Sequence, residues 1–176
     1  KRFIFQGMQN FGYEKKIIFP ITATVKTTKE PLVLQANITA LACKDICVPI
    51  DGDLNLTIPV GNPVKTEHAA SIYSFEKRVP TKATWPGFKI LSVNANKNSI
   101  LIKVKSKHPL IKPDVFIESE NGFRFGKPEV SISNNRLNAS FILSNDIPID
   151  TNLAGIPITI TVVDGKKSIE VRRSIR

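Results

Sequence analysis

The chain has 176 residues, 41% of them hydrophobic, enough for one large or two small cores. No apolar run approaches the ~20 residues of a membrane-spanning helix, and no hydrophobic signal segment follows Lys1, so the expected object is a processed or excised piece of a longer protein. A formal charge of +10 raises the question of nucleic acid, but Lys15-Lys16, Lys166-Lys167 and Arg172-Arg173 are separate pairs, and no aromatic side chains interleave with them as a stacking platform requires. No nucleic-acid partner is expected.

In chain order, the expected strands of the first half cover residues 3–5, 17–25, 32–42 and 54–60, with Pro20 implying an edge or a bulge in the second. The third is the clearest: Leu32, Leu34, Ala36, Ile38 and Ala40 alternate with mostly polar residues. Asn62-Pro63 suits a helix entry, and Ala69, Ile72, Phe75 or Glu76, and Val79 follow at helical spacing before Pro80. A helix over 64–78 is predicted, serving as packing material, with His68 on its surface.

Residues 79–87 carry two prolines and a glycine and no periodicity, and they read as a linker, with Trp85 expected buried at a domain junction. Beyond it, strands are expected over 88–93, 100–105, 115–118, 129–133, 137–143, 156–163 and 168–173. Lys103 and Lys105 alternate with Ile102 and Val104, which places the lysines on a solvent face. Turn signals separate the strands at 94–98, Asn121-Gly122, Asn134-Asn135 and Asp164-Gly165, the last suited to a two-residue hairpin turn. Seven short strands in about ninety residues is the number of an immunoglobulin-like sandwich. The first half has too few to close one, and further strands are expected upstream.

The fold class expected is therefore mainly β: two immunoglobulin-like sandwiches, the first truncated at its amino end, with one short helix before the linker. The expected partition is 1–79, a linker at 80–87, and 88–176. Three matches to the glycosylation acceptor pattern, at Asn37, Asn55 and Asn138, arise by chance in an Asn-, Ser- and Thr-rich chain and carry no function.

The two cysteines, Cys43 and Cys47, lie in Leu41-Ala42-Cys43-Lys44-Asp45-Ile46-Cys47-Val48-Pro49 and are the only ones in the chain. On a straight strand, positions four apart would lie about 13 Å apart, whereas a disulfide needs Cα atoms within about 7 Å. The thiols can pair only if the chain turns back at Lys44-Asp45-Ile46. A ring this small removes on the order of 2 kcal/mol of unfolded-state entropy, which makes a weak staple but a well-placed reversible pair. A small structural disulfide remains the alternative. No metal is expected, because His68 and His108 are distant and no zinc spacing exists.

These residues suggest a family. Phe11-Gly12-Tyr13-Glu14-Lys15-Lys16-Ile17-Ile18-Phe19-Pro20-Ile21, then the cysteine segment through Val48-Pro49, resembles the amino-terminal periplasmic domain of DsbD, the membrane thiol:disulfide interchange protein of Gram-negative bacteria. The resemblance is closer to the ScsB-like members, named for suppression of copper sensitivity, in which a three-residue gap separates the cysteines and Val-Pro follows. Arg78-Val79-Pro80 and the second β domain also resemble that arrangement. DsbD itself spaces its cysteines more widely, so its loop geometry does not transfer.

The resemblance implies a periplasmic domain that relays electrons without a cofactor other than its own disulfide. A thioredoxin-like partner, fed through a fused or cooperating membrane electron-transfer domain, reduces it, and it then reduces disulfide-bearing periplasmic proteins. It implies Cys47 as the attacking thiol, Cys43 as the resolving one, Tyr13 and Glu14 beside the pair, and an aromatic lid from Phe5 or Phe11. Lys44 favours a thiolate and Asp45 opposes it, so reactivity is expected to follow access rather than an acidic thiol. Ile46 sits within the loop, and Val48 and Pro49 fix its exit. Two rival functions are a copper(I)-handling domain using the two soft thiolates, and a β-sandwich interaction module whose disulfide is structural.

Overall fold

The computed structural model describes residues 2–25, 27, 29–82, 87–96, 98–120, 122–145 and 152–176. Trp85, Asn121 and the rest of 83–86 lie outside them. The protein is mostly β with one short helix: β1 (Arg2–Phe5), β2 (Met8–Phe11), β3 (Leu32–Cys43), β4 (Cys47–Ile58), α1 (Ala69–Glu76), β5 (Thr81–Lys82), β6 (Phe88–Asn96), β7 (Ser99–Ser106), β8 (Pro113–Ser119), β9 (Glu129–Ile132), β10 (Asn138–Ser144), β11 (Pro157–Asp164) and β12 (Lys167–Ser174). Lys1–Ile18 and Tyr73–Arg176 form one compact unit, and Phe19–Ile72 form another.

In the larger unit, two four-stranded sheets, β6-β7-β10-β9 and β5-β12-β11-β8, form a β-sandwich around one core. Alternation decides what is inside. Ile100, Ile102 and Val104 of β7 are buried while Lys103 and Lys105 between the last of these are exposed. Phe141 and Leu143 of β10 face the same core as Val115, Ile158, Ile160, Val162 and Ile169 of the other sheet. Each such side chain contributes about 1.5–3 kcal/mol on full burial.

The amino-terminal residues group with this sandwich rather than with the cysteine-bearing residues, as the partition at 79 had it. The β1–β2 hairpin, whose second strand falls outside the expected 3–5, turns at Gln6-Gly7 with φ of 50° and 77°. Arg2 anchors it: Nε and Nη2 donate to Asp114 Oδ2 and Oδ1 at 2.9 and 3.0 Å, and Nη2 also donates to the Val115 carbonyl. Its guanidinium, on a side chain only 13% exposed, lies 5.0 Å from the Phe11 ring centroid and 4.5 Å from that of Phe116. A two-stranded hairpin is marginal alone, and this bidentate, aromatic-flanked pair docks it. Within the expected linker, β5 adds to β12 in parallel, pairing Thr81 with Ile169 and Lys82 with Glu170.

Asp164 closes the β11–β12 hairpin as the partner of Lys167, leaving Gly165 (φ 63°) and Lys166 as the turn. The expectation that Asp164 itself was a turn centre is thereby corrected. Its carboxylate, on a residue 7% exposed, accepts the N–H groups of Ile111 at 3.0 Å and Lys112 at 2.6 Å. Asp164→Ala would orphan both donors, and we expect a loss of about 1–3 kcal/mol in urea unfolding. An unchanged midpoint would show that water replaces the carboxylate.

In the smaller unit, β3 and β4 form a long antiparallel hairpin with twelve cross-strand pairs. Strand β4 begins seven residues earlier than the expected 54–60. Residues 17–25, expected as a strand, have no regular structure among the described residues; Pro20 lacks a ladder donor and no strand pairs with the segment. Helix α1 covers Ala69–Glu76 instead of 64–78 and buries none of its residues, so it is not the packing element expected. Single turns flank it, with Ala69 N–H bonded to the Thr66 carbonyl and Val79 N–H to that of Glu76. His68 is exposed, 3.6 Å from Glu67.

Candidate functional site

Cys43 ends β3 and Cys47 begins β4, with Lys44, Asp45 and Ile46 as the loop between them. Alternation along β3 delivers Cys43 to the tip, and the turn is drawn closed by the Lys44 N–H, which donates to the Ile46 carbonyl at 3.0 Å. The two cysteines are direct cross-strand partners, joined in a disulfide with Cα atoms 4.1 Å apart. That close spacing belongs to a pair that exchanges no main-chain hydrogen bonds. Pro49, two residues on, faces Leu41 at a pair of the same kind, so its missing N–H points away from β3 and removes no ladder bond.

The hairpin is two-faced. Leu32, Leu34, Ala36, Ile38, Ala40 and Ala42 share one face with Ile58, Leu56, Leu54, Gly52, Ile50 and Val48, without a polar side chain among them. The other face carries Gln35 opposite Asn55, Asn37 opposite Asp53 and Thr39 opposite Asp51, then Leu41 opposite Pro49, and ends in the disulfide.

Cys43 is exposed and Cys47 half-buried. Ala42, Cys43, Lys44, Asp45, Ile46 and Val48 line a shallow concavity at the tip. Ile46 is 70% exposed in the loop, Leu41 is exposed on the face of the disulfide, and Val48 is exposed on the opposite face. Lys44 Nζ and Asp45 Oδ2 are 4.0 Å apart, with both side chains almost fully in solvent. Such a pair contributes little energy and leaves the loop without net charge. The arrangement offers an incoming thiolate an open disulfide beside a locally neutral loop.

The structure thus gathers Cys43, Lys44, Asp45, Ile46, Cys47, Val48 and Pro49 on one tip. Phe5, Phe11, Tyr13 and Glu14 belong to the other compact unit. Phe5 is half-buried in β1, Tyr13 and Glu14 are exposed after β2, and the Phe11 ring meets Phe116 edge-on at 5.3 Å between centroids. The Arg2–Asp114 clamp escaped the sequence reading, since residues 112 apart carry no local pairing signal. Among the described residues, no three His, Cys, Asp or Glu side chains group to hold a metal ion, and no helix is long and apolar enough to cross a membrane.

Residues 78–176, more than half of the chain, match the family described as "Domain of unknown function (DUF8393)". Among curated proteins, none matches. Among solved structures, the chain is similar to the N-terminal periplasmic domain of ScsB from Proteus mirabilis, with a TM-score of 0.63 and 16% identity over 81% of this chain. The chain spans 57% of the length of that structure. At that identity the likeness is one of fold, and it agrees with the mainly β, multi-sheet architecture.

Proposed function

The chain belongs to the DUF8393 family, whose matched residues 78–176 exclude both cysteines and carry no assigned activity, and from the disulfide outside them we propose a thiol:disulfide exchange domain that relays electrons in the periplasm. The observation that carries this reading is the Cys43–Cys47 disulfide closing a three-residue loop at an open hairpin tip. Resemblance to the DsbD and ScsB-like proteins around the cysteines, and the ScsB-like fold, support it.

In the proposed reaction a partner thiolate attacks one sulfur, forming a mixed disulfide, and the other cysteine leaves as a thiolate. The partner's second thiolate then attacks its own sulfur in the mixed disulfide, releasing the reduced Cys43–Cys47 pair. Two electrons pass from the partner, which leaves oxidised, and the released thiolates take up protons from water. The reduced pair then repeats these steps on an oxidised periplasmic protein. Thioredoxin-like domains as donors and a membrane electron-transfer domain behind them belong to this proposal. So does an aromatic lid, with Phe5 or Phe11 as its candidates, the Phe11 ring also meeting Phe116 and Arg2.

The resemblance gives Cys47 the attacking role. A second reading rests on exposure: Cys43 is the more open residue, so an incoming thiolate reaches its sulfur first. Equilibration of the full chain against glutathione and dithiothreitol buffers should give a reduction potential above about −300 mV, as expected of a relay, and a lower value would mark a structural bond. Stoichiometric copper(I) binding by the reduced chain, with no exchange activity, would favour copper handling instead.

A further inference from the structure

The larger unit holds a second open feature that the disulfide chemistry does not use. A cavity of about 540 Å3 lies between β2, the end of β8 and the segment 122–125, a size within the ~300–1,000 Å3 of ligand clefts. Its walls carry the edge of β8 that no strand among the described residues pairs with. The two-residue turn makes Asp164 and Lys167 a hydrogen-bonded pair, so Asp164, Val162, Ile160 and Ile158 direct their N–H and C=O groups to β12. The intervening residues of β11 serve Asp114, Phe116 and Glu118 of β8. Val115, Ile117 and Ser119 consequently point their main-chain groups outward, and the Ser119 carbonyl is already taken by the Gly122 N–H at 3.2 Å.

Val115 confirms this parity, since its N–H donates to Asp114 Oδ1 and its carbonyl accepts from Arg2. These contacts close the edge at Val115. Among the described residues, Ile117, next along the same edge, lines the cavity with no side-chain partner of that kind, and Ser119 Oγ is buried without a hydrogen-bond partner. The same argument applied to the turn at Gln6-Gly7 directs the main chain of Gln9 and Phe11 outward from β2, and both also line the cavity. Phe11 and Phe123 supply aromatic wall, and Arg124 stands at the lip with no carboxylate partner among the described residues. Its recorded contacts are Met8 Sδ at 3.9 Å and Asn10 Oδ1 at 3.5 Å. Glu118 is the one acidic side chain in the lining.

We propose that this groove takes an extended peptide segment of another protein, added as a short strand on the open β8 edge at Ile117. An apolar side chain of the peptide enters against Phe11 and Phe123, and a neighbouring carboxylate pairs with Arg124. Strand addition answers the outward donors and acceptors. The carboxylate answers a guanidinium that meets no carboxylate among the described residues, on a chain of net charge +10. The proposal does not depend on the redox reading, because the groove and the cysteines lie in different compact units.

The test is a phage-displayed library of random nonapeptides panned on the full oxidised chain, with the enriched peptides resynthesised for fluorescence anisotropy and amide hydrogen exchange. Enriched sequences should alternate apolar and acidic residues. Binding should weaken at least tenfold on Arg124→Glu, and the Ile117 amide should become protected in the complex. Arg124 is exposed and its substitution leaves the core untouched; Ile117→Pro removes the outward N–H as a second probe. Absence of any enrichment over the Arg124→Glu chain, or binding that leaves the amides of Gln9, Phe11, Ile117 and Ser119 unprotected, would overturn the proposal.

Discussion

With Cys43→Ser, a covalent complex between the chain and a thioredoxin-like partner is expected to accumulate and to dissolve on adding dithiothreitol. With Cys47→Ser, little complex should form, although Cys43 remains as a thiol. The reason is the order of the two displacements: a mixed disulfide through Cys47 persists when the thiol that would expel the partner has been removed. Non-reducing gels over a time course read the result directly. The exposure of Cys43 makes the opposite pattern informative too, since trapping only by Cys47→Ser would show that the open sulfur is the one attacked. Neither substitution should unfold the chain, because a ring of this size contributes on the order of 2 kcal/mol against a typical total of about 5–15 kcal/mol. No trapping by either variant, together with a large drop in melting temperature, would return the bond to a structural role.

The second large effect is expected in the sandwich. Phe141 of β10 is 0% exposed, whereas Ile142, its immediate neighbour, is 42% exposed on the opposite face. Phe141→Ala should cost about 3–5 kcal/mol through lost transfer energy and the cavity left behind. Ile142→Ala should change stability far less, as surface substitutions usually do. Urea denaturation of the two variants side by side measures the difference. Comparable losses would mean that the outer face of this sheet is covered.

Much of the sandwich was legible because its strands are half-buried and short. Residues 100–105 and 156–163 alternate cleanly, and the observed strands extend the expected ones by only one or two residues at most ends. Legibility failed where one residue type carries two meanings. Pro20 implies an edge or a bulge in an expected strand that does not form, while Pro49 and Gly52 hide the first half of a strand that does. The difference is whether the missing N–H faces a partner, which depends on register and not on composition. Helix α1 is shorter than its periodicity predicts, because a helix that buries none of its residues has no core face to fix its ends. At the site, the cysteines and the need for the chain to turn back between them followed from spacing alone. The exposure of Leu41, Ile46 and Val48 at the tip did not, since exposure of apolar residues is visible only once both strands are paired.

The placement of the two cysteines at a pair without main-chain hydrogen bonds bears on how the tip would pass electrons. Breaking the sulfur–sulfur bond would remove a covalent link but no rung of the β3–β4 ladder, so the reduced chain is expected to keep the same register. In the proposed exchange, the reorganisation would then be confined to two side chains. A tip with the same shape in both redox states does not use its own conformation to favour one partner over another. The direction of electron flow through it would be set by the relative potentials of whatever meets it, and by how often each partner arrives.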